Sequence, residues 1–196
     1  MQNAAGIVVR RGQSSRLSTI LQVLLLIGIG IAATFAKKLQ PSLGIPGSSA
    51  PFWLGIMVAG RALVCRDGAG ALIGTTVAIS GIPVGLNNTF LHNLGLYGFT
   101  GLALDLVARL PGINVTKPLG AVACGVLAHL VKFGFITGIA YASPVTKHFL
   151  VIGLGQSALL HIVFGAAAGV VGWGITRSTT YRLPPVSLHP PQALPN

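Results

Sequence analysis

The chain has 196 residues, of which 52% are hydrophobic, 8% are charged and 27 are glycine, with a mean hydropathy of +0.78. A soluble domain carries about 25% charged residues, so this composition excludes an ordinary soluble globule. The formal charge of +11 does not imply nucleic acid, because the cations sit one to three at a time between apolar segments. That is how Lys and Arg are distributed in the loops of a membrane protein.

Residues 1 to 16 read as an N-terminal tail. The first expected span is Leu17 to Ala36, since an apolar run of about 18 or more residues is long enough to cross a bilayer. It is too long for a signal-peptide core and has no convincing cleavage site, so it reads as retained. Gly28, Ala32 and Ala36 recur along it every four residues. Such a small-residue face lets another helix approach closely, either inside the same bundle or from a partner. The 14-residue connection from Lys37 to Ala50 contains Pro41, Gly44, Pro46 and Gly47 and is long for a simple turn between helices. Span two, Pro51 to Val64, opens on a proline suited to a first helical turn. Trp53 reads as an interfacial anchor or, within a lid, as a surface on which a ligand stacks. Arg61, close to the other end of this span, is expected to snorkel.

Span three runs from Gly68 to Val84 and ends at the Gly81-Ile82-Pro83 break. Span four is Phe90 to Arg109, closed by Pro111-Gly112. Asn88 and His92 are four residues apart, as are Asn93 and Tyr97, which predicts two neighbouring polar stripes beside Asn87. Asp105 and Arg109 are expected to form an i,i+4 pair at the end of this helix. Span five, Pro118 to Ala142, carries His129 and Lys132 one turn apart on one face. Span six, Phe149 to Ile175, carries Gln156 and His161. Residues 178 to 196 form a second tail, proline-rich from Pro184 onward.

The expected fold is therefore all-α, a polytopic bundle of about six transmembrane helices over residues 17 to 177. With both termini inside, Arg10, Arg11, Arg16, Arg66, Arg109, Lys117, Arg177 and Arg182 are cytoplasmic, and Lys37, Lys38 and Lys147 lie outside. Eight against three fits the positive-inside rule and predicts a multi-pass cell-membrane protein with cytoplasmic tails. Cys65 and Cys124 fall in apolar stretches without metal-ligand spacing, so they read as buried thiols, and no metal or cofactor is expected.

No Walker loop, paired carboxylates or nucleophile elbow is present, and Asp67 and Asp105 are the two acidic residues of the whole chain. An enzyme is not expected. In the proposed orientation, Asn87, Asn88, His92, Asn93, Tyr97, His129, Lys132, Gln156 and His161 reach similar depths in the outer half. Polar groups at such depth face the bundle interior and mark a ligand path, or they pair with one another between helices. Lys132 has no acidic residue at its level. It sheds its charge, snorkels, or meets an anionic ligand.

Six short spans, the Ala32-xxx-Ala36 face, the stretch Trp53-Leu54 through Gly60-Arg61-Ala62-Leu63-Val64 to Arg66-Asp67-Gly68-Ala69-Gly70, and Gly98 through Gly101 to Asp105 together resemble the substrate-binding S component of energy-coupling factor (ECF) transporters. The resemblance spans residues 17 to 177. It implies a subunit that captures a vitamin or related micronutrient from outside and is energised by a transmembrane coupling subunit and ATPase subunits. It also implies that Gly28, Ala32 and Ala36 meet the coupling subunit, with the ligand near Trp53, Asn87, Asn88, His92 and Lys132. The Met-His start associated with nickel and cobalt members is absent, since the chain begins Met1-Gln2. A structural or assembly factor, or a small channel whose polar residues only lock helices, is the alternative.

Overall fold

The computed structural model describes residues 4–41, 44–86, 89–142 and 147–182, with side chains at 19–41, 44–86, 89–142 and 153–179. Among these the chain is helical without a strand. In order come α1 (Ala4–Leu39), α2 (Ala50–Leu63), α3 (Ala69–Ser80), α4 (Phe90–Asn93), a π-helical turn (Leu94–Gly98), α5 (Phe99–Ala108), α6 (Pro118–Ala142) and α7 (Lys147–Arg182). Asn93 and Gly98 keep helical backbone angles, so α4, the π-turn and α5 form one rod. The all-α bundle thus contains six rods along the six expected segments. Pro118 to Ala142 matches to the residue. α1 instead begins at Ala4, within the residues expected as a tail, and α7 runs past Ile175 to Arg182. Hydropathy marks where a helix leaves an apolar environment, but an established helix propagates further until a breaker stops it.

Three helical stretches are long and apolar enough to cross a membrane, namely Thr19–Leu39, Pro118–Ala142 and Gly153–Thr179. Their outer faces carry Leu21, Leu24 and Leu25 on α1, Leu119 and Val131 on α6, and Leu159, Val163 and Val170 on α7, all exposed. A surface of that extent is matched by lipid rather than water. α2 and α3 are apolar but shorter.

The short α2 is the hub of the bundle. It packs against α1, α3, α5, α6 and α7, and ten of its 14 residues are buried. Trp53, Leu54, Met57 and Val58 on this helix are fully shielded, and they join Ile73, Val77, Leu104, Cys124 and Ala168 from its neighbours in one core. Small residues set the spacing. A Cβ on Gly101 of α5 would collide with the backbone of Gly70 on α3, and one on Gly125 of α6 with that of Gly165 on α7. Backbones that approach this closely gain dispersion contacts, which drive helix association where lipid competes with apolar burial.

The two polar centres of the bundle lie at opposite ends. At the end formed by the C-termini of α2 and α5 and the start of α3, Gly68 occupies the N-cap position of α3 with φ +80° and has no side chain to cap it. Asp105 on α5 supplies that function across the helix interface. The Gly70 amide donates to its Oδ1 at 3.0 Å and the Ala71 amide to its Oδ2 at 2.8 Å. Arg61 Nε lies 2.7 Å from Oδ1, and Arg61 also donates to the Val64 carbonyl at 3.4 Å. A carboxylate at a helix N-terminus satisfies orphan amides and interacts favourably with the helix dipole.

These contacts correct two expectations. Asp105 pairs with Arg61 rather than Arg109, and Arg109 instead reaches Asp67 at 3.2 Å on the exposed surface. Arg61 does not snorkel, because it is buried against its carboxylate. Cys65, expected to be buried, is exposed just beyond α2, whereas Cys124 is buried as expected.

Candidate functional site

The opposite end of the bundle holds a cavity of about 690 Å³. Its walls are the end of α1 (Lys37, Gln40), the connection from Pro41 and Gly44 to Ser49, the second half of α6 (His129, Lys132, Phe133, Ile136) and the first half of the described part of α7 (Gly153, Leu154, Ser157, His161). On α6, His129, Lys132, Phe133, Ile136, Thr137 and Ala140 recur at helical spacing, so one face of that helix forms a wall. The 44–49 connection is held against it by Gly47, whose φ of +82° favours glycine and whose added Cβ would sit 3.0 Å from His129 Cε1.

Lys132 is the centre of the arrangement. Its side chain is buried, with Nζ 4.4 Å from the Trp53 ring centroid and 5.2 Å from that of Tyr97. The two rings meet edge to face at 5.2 Å. An ammonium over indole is worth about 2 kcal/mol when desolvated, so the aromatic pair holds the cation in place without neutralising it. Lys132 therefore does not snorkel to the surface. Trp53 is fully buried behind the cavity, neither an interfacial anchor nor part of a lid.

Beside Lys132 the His129 and His161 rings lie 4.6 Å apart. His129 Nδ1 is 3.0 Å from the His161 carbonyl and His161 Nδ1 is 2.7 Å from the Ser157 carbonyl. A carbonyl oxygen only accepts, so both Nδ1 atoms carry hydrogen and donate. His129 Nε2 is buried with no hydrogen-bond partner.

Trp53, Tyr97, His129, Lys132 and His161, drawn from four separate segments of sequence, thus converge. Other expected site residues do not join them. Asn93 is buried and donates from Nδ2 to the Ala78 carbonyl at 3.3 Å, tying α4 to α3. His92 packs against Phe135 at 6.2 Å outside the cavity, and Gln156 is exposed on the outer face of α7. Asn87 and Asn88 lie outside the described residues. The expected Asn93–Tyr97 stripe fails because the π-turn is wider than an α-helical turn, while the Asn88–His92 stripe falls partly outside the described residues. Residues four apart across it therefore point in different directions, and Tyr97 faces Trp53 while Asn93 faces α3. Gly95 in this turn accepts the Phe135 ring of α6, and any Cβ there would overlap it.

Lys37, Gln40, Ser48, Ser49, Phe133 and Ser157 line the cavity although the sequence did not single them out. The length and proline-glycine content of the 37–50 connection were the available signal for four of them. Among the described residues no group of three or more His, Cys, Asp or Glu is placed to hold a metal ion. On α1, Gly28 and Ala32 are exposed and nothing lies within 4 Å of a Cβ built on Gly28, whereas Ala36 is half-buried. The lower part of that small-residue face is thus uncovered in the single chain.

Comparison with protein-family models, curated proteins and solved structures finds no match to this chain.

Proposed function

We propose that this chain is the substrate-binding membrane subunit of an ECF-type importer, which captures a small micronutrient and is energised by partner ATPase subunits. The observation that carries the reading is the cavity of about 690 Å³ with a buried lysine at its wall. Small-molecule sites enclose about 300–1,000 Å³ and combine apolar walls with a few fixed polar groups. Phe133, Ile136, Ile45 and Leu154 provide the apolar walls here, and Lys132, His129, His161 and Gln40 the polar groups. A bundle whose polar residues served only to lock helices would fill this space with side chains. In the orientation given by the charge bias, all six rods cross the cell membrane, both tails are cytoplasmic and the cavity faces outward. The uncovered Gly28–Ala32 face of α1 is then available to a transmembrane coupling subunit.

The test is co-purification from the native membrane together with mass spectrometry of whatever the detergent-solubilised chain retains. A coupling subunit, ATPase subunits and a bound small molecule are expected. A chain that purifies without partners and binds nothing from a micronutrient mixture would sink the proposal.

A further inference from the structure

The cavity is built for one charge sign. Lys132 and Lys37 both line it, and no Asp or Glu does. The chain has only two acidic residues, and both stand at the other end, Asp105 against Arg61 and Asp67 against Arg109. No carboxylate side chain of this protein is therefore free to neutralise Lys132. The aromatic faces of Trp53 and Tyr97 fix its position but supply no counter-charge.

The same wall also presents acceptors. Because both histidines donate from Nδ1 to carbonyls, the Nε2 of each neutral ring is left as an acceptor. That of His129 is buried and unmatched, as is Gln40 Oε1 across the cavity. A simple inorganic anion would answer the lysines and leave these atoms unsatisfied, which costs free energy once water is excluded.

Building on the binding-subunit reading, we infer that the ligand is an organic acid that also carries N–H or O–H donors. Its carboxylate meets Lys132 with Lys37 alongside. Its donors meet His129 Nε2 and Gln40 Oε1, and an apolar body lies along Phe133 and Ile136.

Matched probes separate these demands. Indole-3-acetate has both groups, indole-3-acetamide lacks the carboxylate and 1-methylindole-3-acetate lacks the ring N–H. Orotate, uracil and 1,3-dimethylorotate form a second set. Binding is read at millimolar concentration by thermal shift and isothermal titration on the full chain in nanodiscs of phosphatidylcholine. The complete acid of at least one set is expected to bind roughly tenfold or more tighter than its carboxylate-free partner, and more tightly than its N-methylated one. Lys132→Met should abolish the preference for the acid, and Lys132→Arg should keep part of it. The comparison among probes on the wild-type chain stands even if a variant does not fold.

Equal binding of acid and carboxylate-free partner in both sets, or silence from every acid, overturns the inference. Tighter binding of indole-3-acetamide or uracil than of the matching acid overturns it too, while leaving a small-molecule-binding subunit in place. Displacement of the acid by added phosphatidylglycerol overturns it in favour of a lipid head group.

Discussion

Asp105 shows how much one residue does in a chain so poor in carboxylates. It neutralises the buried Arg61 and caps two amides of α3, so its removal leaves a buried guanidinium without a counter-charge. Breaking a buried pair in this way costs about 3–5 kcal/mol. Asp105→Ala should therefore lower the thermal unfolding midpoint of the purified chain sharply, and more than Asp67→Ala, whose pair with Arg109 is exposed. The double change Arg61→Met with Asp105→Leu should recover most of the loss. The remainder, about 1 kcal/mol, reflects the missing cap of α3. Equal effects of Asp105→Ala and Asp67→Ala would show that the buried pair has no special weight.

At the level of elements, glycines decide how closely the helices meet. Gly101 has no room for a side chain because the backbone of Gly70 is against it, whereas Gly134 on α6 has nothing within 4 Å of a Cβ. Overpacking a close contact costs about 1–3 kcal/mol, and more when two backbones must part. Gly101→Val is expected to lower the unfolding midpoint by several degrees and to loosen α5 from α3, read as faster amide exchange in both helices. Gly134→Val should leave both readouts unchanged. The π-turn belongs to the same scale. It is what brings Tyr97 onto Trp53, and with it the aromatic bed of Lys132.

The whole molecule separates a paired ionic centre at one end from an unpaired cationic cavity at the other. In the topology proposed from the charge bias, the ion pairs lie inside and the cavity outside. Cysteine labelling in intact cells tests that orientation. In a Cys65→Ser background, Lys147→Cys should react with an impermeant thiol reagent, whereas the native Cys65, exposed at the Asp105 end, should be protected until the cells are opened. Labelling of Cys65 but not of residue 147 would invert the topology. A second test concerns assembly. Ala32 is exposed, so Ala32→Trp should leave the isolated chain folded and able to bind whichever probe acid the wild-type chain binds, while preventing capture of the proposed coupling subunit. Loss of folding instead would make this face an internal packing surface.

Hydropathy, proline and glycine placement, and the near absence of acids determined by themselves that the chain forms an all-helical, lipid-compatible bundle, and they located its six helical segments, although α1 and α7 extend well past the expected bounds. These signals are local. Each depends on residues within a turn or two of one another, so the sequence displays them directly. The partners of Asp105 were not legible, because an i,i+4 neighbour was visible in sequence and an arginine 44 positions away was not. Nor was the split within the polar set, since a helix pattern gives depth and face only while the period stays at about 3.6 residues per turn. One π-turn shifted that register and sent Asn93 and Tyr97 to different neighbours. Tertiary packing alone decided that Trp53 lies behind the cavity instead of above it, that Gln40 and Lys37 join its wall, and that Lys132 is held on aromatic rings with no carboxylate in reach. Long-range placement of this kind depends on how six rods share one core around a buried α2, a property of no single segment.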